Sequence, residues 1–226
     1  MKVSWKVEVP QWLILAAMFA AAAVAWPAAP DRIPMHWNLS GQVDRYGGKV
    51  EGLLLMPLVA LGIYLLLLVL PRIDPGRANY PGFRGSYNTI RIAVLALFAA
   101  LYAMIQVWVW TGHVNIAQIA PIAIGVLFVF LGAVLGKIRP NWFVGIRTPW
   151  TLSSKTAWVR THRAGGWVFM LDGLATIAAS FIASRLAFWV LIGGVVGGTI
   201  GLTVYSYLVW RQDPDKVPPA GTLPAD

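Results

Sequence analysis

Apolar residues run in blocks along this chain rather than in alternation. Uninterrupted stretches lie at about 11–26, 52–70, 92–111, 116–136, 166–184 and 186–210, and the short segments between them gather the charged and turn-forming positions. Each block is close to the ~20 residues that cross a hydrocarbon core as a helix. None alternates polar and apolar positions as a barrel strand does, so no strand is expected. The pattern predicts an all-α, polytopic membrane helix bundle of about six transmembrane helices.

Composition agrees. Of 226 residues, 58% are hydrophobic and 12% charged, with a mean hydropathy of +0.66, which leaves no room for a large extramembrane domain. The net charge of +9 would suit nucleic-acid phosphates. The basic residues, however, sit in short connections, the pattern that orients membrane proteins and meets anionic headgroups. The expected partner is therefore the lipid bilayer, with no direct nucleic acid. The absence of cysteine excludes disulfides and thiolate chemistry.

Basic residues set the expected orientation. With the N-terminus inside, Lys2, Lys6, Arg72, Arg77, Arg84, Arg91, Lys137, Arg139, Arg147, Lys155, Arg160, Arg163, Arg211 and Lys216 are cytoplasmic, against Arg32, Arg45, Lys49 and Arg185 outside. Both ends are thus expected in the cytoplasm. Lys2 and Lys6 before an apolar run ending in Ala23-Val24-Ala25 also fit a cleaved signal peptide, an alternative that leaves the other five spans in place.

The expected organisation is an N-terminal membrane domain over 1–90, with an ordered extracytoplasmic loop at 27–51, then a helical membrane domain over 91–210. The proline-rich stretch 211–226 is expected to be a disordered cytoplasmic tail. Gly193, Gly197 and Gly201, with Gly194 and Gly198 beside them, form a small-residue stripe suited to close helix packing inside the chain, with a dimer interface as the alternative. Pro57 and Pro121 lie within spans and are expected to kink them.

Two loops carry the candidate chemistry. The outer one, PAAPDRIPMHWNLSGQVDRYGGKVE, mixes turn formers with His36, Trp37, Tyr46 and charges, which fits either a folded cap or a surface that recognises something outside the cell. The inner one, RPNWFVGIRTPWTL followed by SSKTAWVRTHRAGG, has no acid between Lys137 and Asp172. Arg147 and Thr148 there suit an anion such as a lipid phosphate or an acidic protein surface, although such a loop also fits a purely topological role.

Asp172 falls inside a span, ~9 Å along the helix past the loop. A carboxyl there must be paired, neutral or functional. Arg163 and Arg91 are the candidate partners, and a proton or substrate site is the alternative. His36 and His113 map to one face and His162 to the other, ~30 Å away, so the three histidines share no metal. No HExxH, GxSxG or Walker motif occurs, so no catalytic residue, metal or cofactor is expected.

At these two loops the sequence resembles the SdpI family of bacterial membrane proteins. PMHWNLSGQVDRYGGK is similar to the domain of unknown function that commonly opens these proteins, matching at Pro34, His36, Trp37, Asn38, Gly41, Asp44 and Lys49. RPNWFVGIRTPWTLSSKTAWVRTHRAGG resembles the family's C-terminal signature, matching at Arg139, Asn141, Gly145, Arg147, Thr148, Pro149, Trp150, Thr151, Trp158, His162 and Arg163. The resemblance covers about residues 10–210. It implies a non-enzymatic protein of the bacterial cell membrane that confers immunity to a secreted peptide toxin, signals by holding a transcriptional repressor at the membrane, or both. The rival expectations are a small transporter or channel using Asp172 and, with no motif behind it, a membrane enzyme acting on lipid.

Overall fold

A computed structural model describes residues 5–217. Six of its helices are long and apolar enough to cross a membrane: α1 (Trp5–Ala25), α2 (Lys49–Ile73), α3 (Arg84–Thr111), α4 (Ile116–Leu135), α6 (Lys155–Ile182) and α7 (Ser184–Arg211). The chain is a multi-pass membrane protein. A 3-10 turn at Arg77–Phe83 leads into α3, and α5 (Pro149–Ser153) is a single turn before α6. Helices α2 and α4 run uninterrupted through Pro57 and Pro121.

Helix α6 starts well before its apolar block because Ser154 caps it, the side chain accepting from the Ala157 N–H at 2.9 Å. Its first turns, Lys155–Arg163, carry Lys155, Arg160, His162 and Arg163 and precede the apolar block. At the other end α6 and α7 are separated by Ala183 alone, in extended backbone. Helix α3 closes on Gly112 at φ +76, in the left-handed region that glycine adopts freely.

The closest helix contact lies between α4 and α6 and is built on paired glycines. A Cβ at Gly125 would stand 2.7 Å from the Gly173 carbonyl, and one at Gly132 2.5 Å from that of Gly166, so backbone meets backbone there. The stripe anticipated on α7 behaves otherwise. Gly193, Gly197 and Gly201 face open space, and only Gly194 and Gly198 turn toward α6.

Buried apolar side chains form two clusters. One joins α1, α2 and the outer half of α3 through Leu15, Met18, Leu53, Leu95, Tyr102 and Ile105. The other joins the 3-10 turn, the start of α3, the end of α4 and Trp158 of α6 through Tyr80, Phe83, Tyr87, Val134 and Ile138.

The outer loop corrects the expectation of no strands. Strands β1 (Ile33–Trp37) and β2 (Val43–Gly47) pair antiparallel, Ile33 opposite Gly47 and Trp37 opposite Val43. Asn38 makes the turn, its Oδ1 accepting from the N–H groups of Ser40 and Gln42 while Gly41 takes φ +76. Buried Ile33 seats the hairpin on α2, where a Cβ at Gly52 would lie 2.7 Å from the Ile33 side chain.

The tail also differs in part from expectation. The Val217 N–H donates to the Ser153 carbonyl at 2.9 Å, Lys216 lies 4.9 Å over the Trp210 ring, and Asp213 is buried against Ser154. Residues 212–217 are thus held by specific polar contacts that composition does not reveal. The remainder of the expected tail, 218–226, lies outside the described residues.

Candidate functional site

The inner loop is positioned from within by a side-chain framework. Asn141 is the pivot: its Oδ1 accepts from the N–H groups of Phe143 and Val144, and its Nδ2 donates to the carbonyls of Arg139 and Val144. The backbone N–H of Trp142 donates to Asp74 at 3.1 Å, and the Tyr80 hydroxyl donates to the same carboxylate at 2.8 Å. Asp74, only 1% exposed at the end of α2, therefore ties the loop to the first half of the chain. Sequence reasoning missed it, since an acid just past an apolar block reads as an ordinary loop residue.

His162 is fully buried and stacks on Trp158 with ring centroids 4.1 Å apart. Its Nδ1 donates to the Trp158 carbonyl at 2.8 Å and its Nε2 accepts from the Ile146 N–H at 2.9 Å. Those two bonds fix the neutral tautomer with the proton on Nδ1. Gly145 makes the arrangement possible. It sits at φ +112, and a Cβ there would fall 2.3 Å from His162 Nε2. Trp158 is also fully buried and donates from Nε1 to the Ile138 carbonyl.

Thr148 and Thr151 form a reciprocal capping box around α5, with Pro149 at its start, where the missing N–H costs nothing. The Thr148 hydroxyl also meets the Ser206 hydroxyl of α7 at 2.9 Å, and Trp150 packs edge-on against Tyr207. The inner motif therefore divides in two. Asn141, Gly145, Thr148, Thr151, Trp158 and His162 face inward and shape the loop. Arg139, Arg147 and Arg163 stand on its exposed surface, and Arg147 spends one N–H on the Trp142 carbonyl at 2.7 Å. Among the described residues none of these three arginines has an acidic partner within ion-pair distance. Beside them the Ser154 hydroxyl donates to Asp213, which holds that carboxyl below the ordinary carboxylate range.

Asp172 is not paired with Arg91 or Arg163. It lies only 9% exposed on α6, makes no hydrogen bond among the described residues, and packs onto α7 at Gly194, where a Cβ would stand 2.0 Å from its Oδ1. It borders a cavity of about 380 Å³ shared with Arg147, Thr148, Thr199 and Thr203.

Arg91 instead pairs with Glu8, an acid inside α1 that the block pattern overlooked. Its Nη1 and Nη2 each donate to one Glu8 oxygen at 2.8 Å, the Tyr64 hydroxyl donates to Oε2 at 2.9 Å, and Trp12 Nε1 donates to that hydroxyl at 2.7 Å. Glu8 thus joins Asp172 as an acid within a span.

In the outer hairpin His36 Nδ1 lies 2.6 Å from Asp44 Oδ1, both side chains exposed. Arg45 pairs with Glu51, and Arg32 covers the Tyr46 ring at 4.8 Å. Pro34 is buried with Ile33, whereas Trp37 is half-buried and Asn38 is spent on the turn. Lys49 donates to the Trp26 carbonyl at 3.4 Å, and Ser40 accepts from Arg185 of α7 at 2.8 Å. Gly41 fits closely over α4, a Cβ there falling 3.0 Å from that of Ala117. The hairpin is thus tied to both halves of the bundle. No group of three metal-ligating side chains occurs among the described residues.

Two family profiles match the chain: the domain of unknown function DUF1648 over residues 13–61 and the SdpI/YfhL protein family over residues 137–206. They enclose the hairpin and the inner loop respectively. The chain is also similar to the Immunity protein SdpI of Bacillus subtilis (strain 168), at 22% identity over 200 residues that cover 88% of this chain and 94% of that protein. No solved structure matches.

Proposed function

The chain belongs to the SdpI family and carries the DUF1648 region ahead of it, and from that premise we propose that it is a non-enzymatic immunity and signalling protein. In this reading both ends and the basic face lie in the cytoplasm and the hairpin lies outside, as the distribution of basic residues favours. The hairpin meets a membrane-active peptide. The inner loop presents Arg147, between Trp142 and Trp150, to an acidic protein surface such as that of a transcriptional repressor.

The observation that supports it best is the construction of the inner loop. Buried Asn141, His162 and Trp158 hold a rigid base, while Arg147 is left exposed with donors to spare. That is a recognition surface on a fixed scaffold. Expression in a strain that lacks its own immunity protein, followed by challenge with the peptide toxin of that strain, tests the reading. Survival is expected for the wild type, and loss of repressor recruitment to the membrane fraction for Arg147→Ala. Arg160→Ala, at an exposed base on the same face, should behave as wild type. Arg185 does not serve as that control, because it holds Ser40.

Transport is the second reading, favoured by one observation: Asp172 has no hydrogen-bond or ion-pair partner among the described residues and borders a cavity. A well-inserted Asp172→Asn variant that loses activity would favour it, and an active one would leave immunity without transport.

A further inference from the structure

We propose that a cleft on the basic face, walled by the start of α3, the end of α4 and the first turns of α6, binds the phosphate of an anionic phospholipid headgroup. The cleft measures about 540 Å³ and is lined by Arg84, Lys137, Arg139 and Arg163, with no carboxylate among the described residues of its walls. Lys137, Arg139 and Arg163 are exposed and form no ion pair with a described acid. Buried Phe83 and Ile138 form its floor.

Helix electrostatics accounts for part of this cluster. Lys137 and Arg139 follow the C-terminus of α4, where a cation meets the negative end of the helix dipole. It does not explain why Arg163 from α6 converges on the same space. Lys137, Arg139 and Arg163, three exposed bases around one cleft, repel each other, and an anion bound among them relieves that repulsion. The elements meet closely here: a Cβ at Gly136 would stand 3.4 Å from the Arg163 Cα and one at Gly82 3.6 Å from the Arg139 side chain, both in ordinary contact.

The headgroup, rather than a protein, follows from place. Three spans end around this cleft, so it opens where the phosphates of the adjoining leaflet lie, and guanidinium forks suit phosphate oxygens. The proposal stands whether or not the immunity reading holds, since it uses neither Arg147 nor the hairpin.

The test is native mass spectrometry of the full chain in detergent with added phosphatidylglycerol, phosphatidylcholine or inorganic phosphate. Wild type should take up phosphatidylglycerol roughly tenfold more readily than phosphatidylcholine. K137Q/R139Q/R163Q should lose that preference. The charge-matched R77Q/K155Q/R160Q, which neutralises three exposed bases outside the cleft, should keep it. The single variants R139Q and R163Q, at exposed side chains, should each lose part of it and guard against misfolding of the triple variant. Equal loss in both triple variants would mean that only the net field matters and would overturn the site. No preference in wild type would overturn it as well, as would displacement of phosphatidylglycerol by equimolar inorganic phosphate, which would assign the cleft to a free anion.

Discussion

Glu8 and Arg91, 83 positions apart in sequence, meet through two parallel hydrogen bonds of 2.8 Å with both side chains at most 2% exposed. Tyr64 from α2 completes the contact, so one ion pair fastens α1, α2 and α3. Removing one partner strands a charge in a medium that cannot solvate it, at a cost of about 3–5 kcal/mol. Arg91→Leu and Glu8→Leu should each lower thermal stability in detergent sharply. The double variant should recover much of the loss, and additive losses would show that the pair does not act as a unit.

Gly145 carries two constraints, a left-handed backbone and the His162 ring 2.3 Å from where a Cβ would sit. Gly112 is also left-handed, at φ +76, but has open space around it. Gly145→Ala should therefore cost more than the ~1–3 kcal/mol of backbone strain alone, and Gly112→Ala should cost no more than that. Paired thermal melts compare them directly.

On α7 the consequence of an added methyl should alternate between adjacent residues. Gly193→Ala meets nothing and should be neutral or slightly stabilising, because alanine favours helix by up to ~1 kcal/mol. Gly194→Ala runs into the Asp172 carboxyl and should destabilise by about 1–3 kcal/mol, as overpacking does. Asp172→Ala should rescue it in the double variant. Failure of that rescue would mean that the obstacle is backbone rather than the carboxyl.

The Ser154–Asp213 contact gives a pH signature. Hydrogen bonding by Ser154 depresses the Asp213 carboxyl below its ordinary value of 3.8, so its stabilisation is fully present above that value and is lost as pH falls through the depressed one. Segment 212–217 should resist proteolysis at neutral pH and become susceptible in acid below about pH 4. Asp213→Asn should be cleaved readily across the whole range. Identical pH profiles in the two proteins would remove Asp213 from this role.

The spans were legible because lipid imposes long apolar blocks, and length alone then identifies a helix. The polar exceptions were not. Glu8 lies ahead of the apolar block at 11–26, so the block pattern does not place it within a span, although α1 begins at Trp5. The hairpin escaped because each strand has five residues and Ile33, Pro34 and Met35 do not alternate. At the inner loop the sequence marked which residues matter but not which way they face. Trp158 and His162 read like Trp142 and Arg147 in a basic amphipathic stretch, and only their bonds to Ile138 and Ile146 turn them inward. The glycine stripe packs inside the chain only at Gly194 and Gly198. A period of four does not say which side of the helix has a neighbour, and the face of Gly193 has none.

Helix α3 supplies Leu95, Tyr102 and Ile105 to one buried cluster and Tyr87 and Ile90 to the other. Neither cluster can come apart without disturbing a helix that the other needs, so the two should open as one cooperative unit. Helix α7 contributes to neither, and most of its surface faces outward. Amide hydrogens along α7 should exchange first, with those of α3 among the last, making α3 the keel of the bundle and α7 its loosest plank.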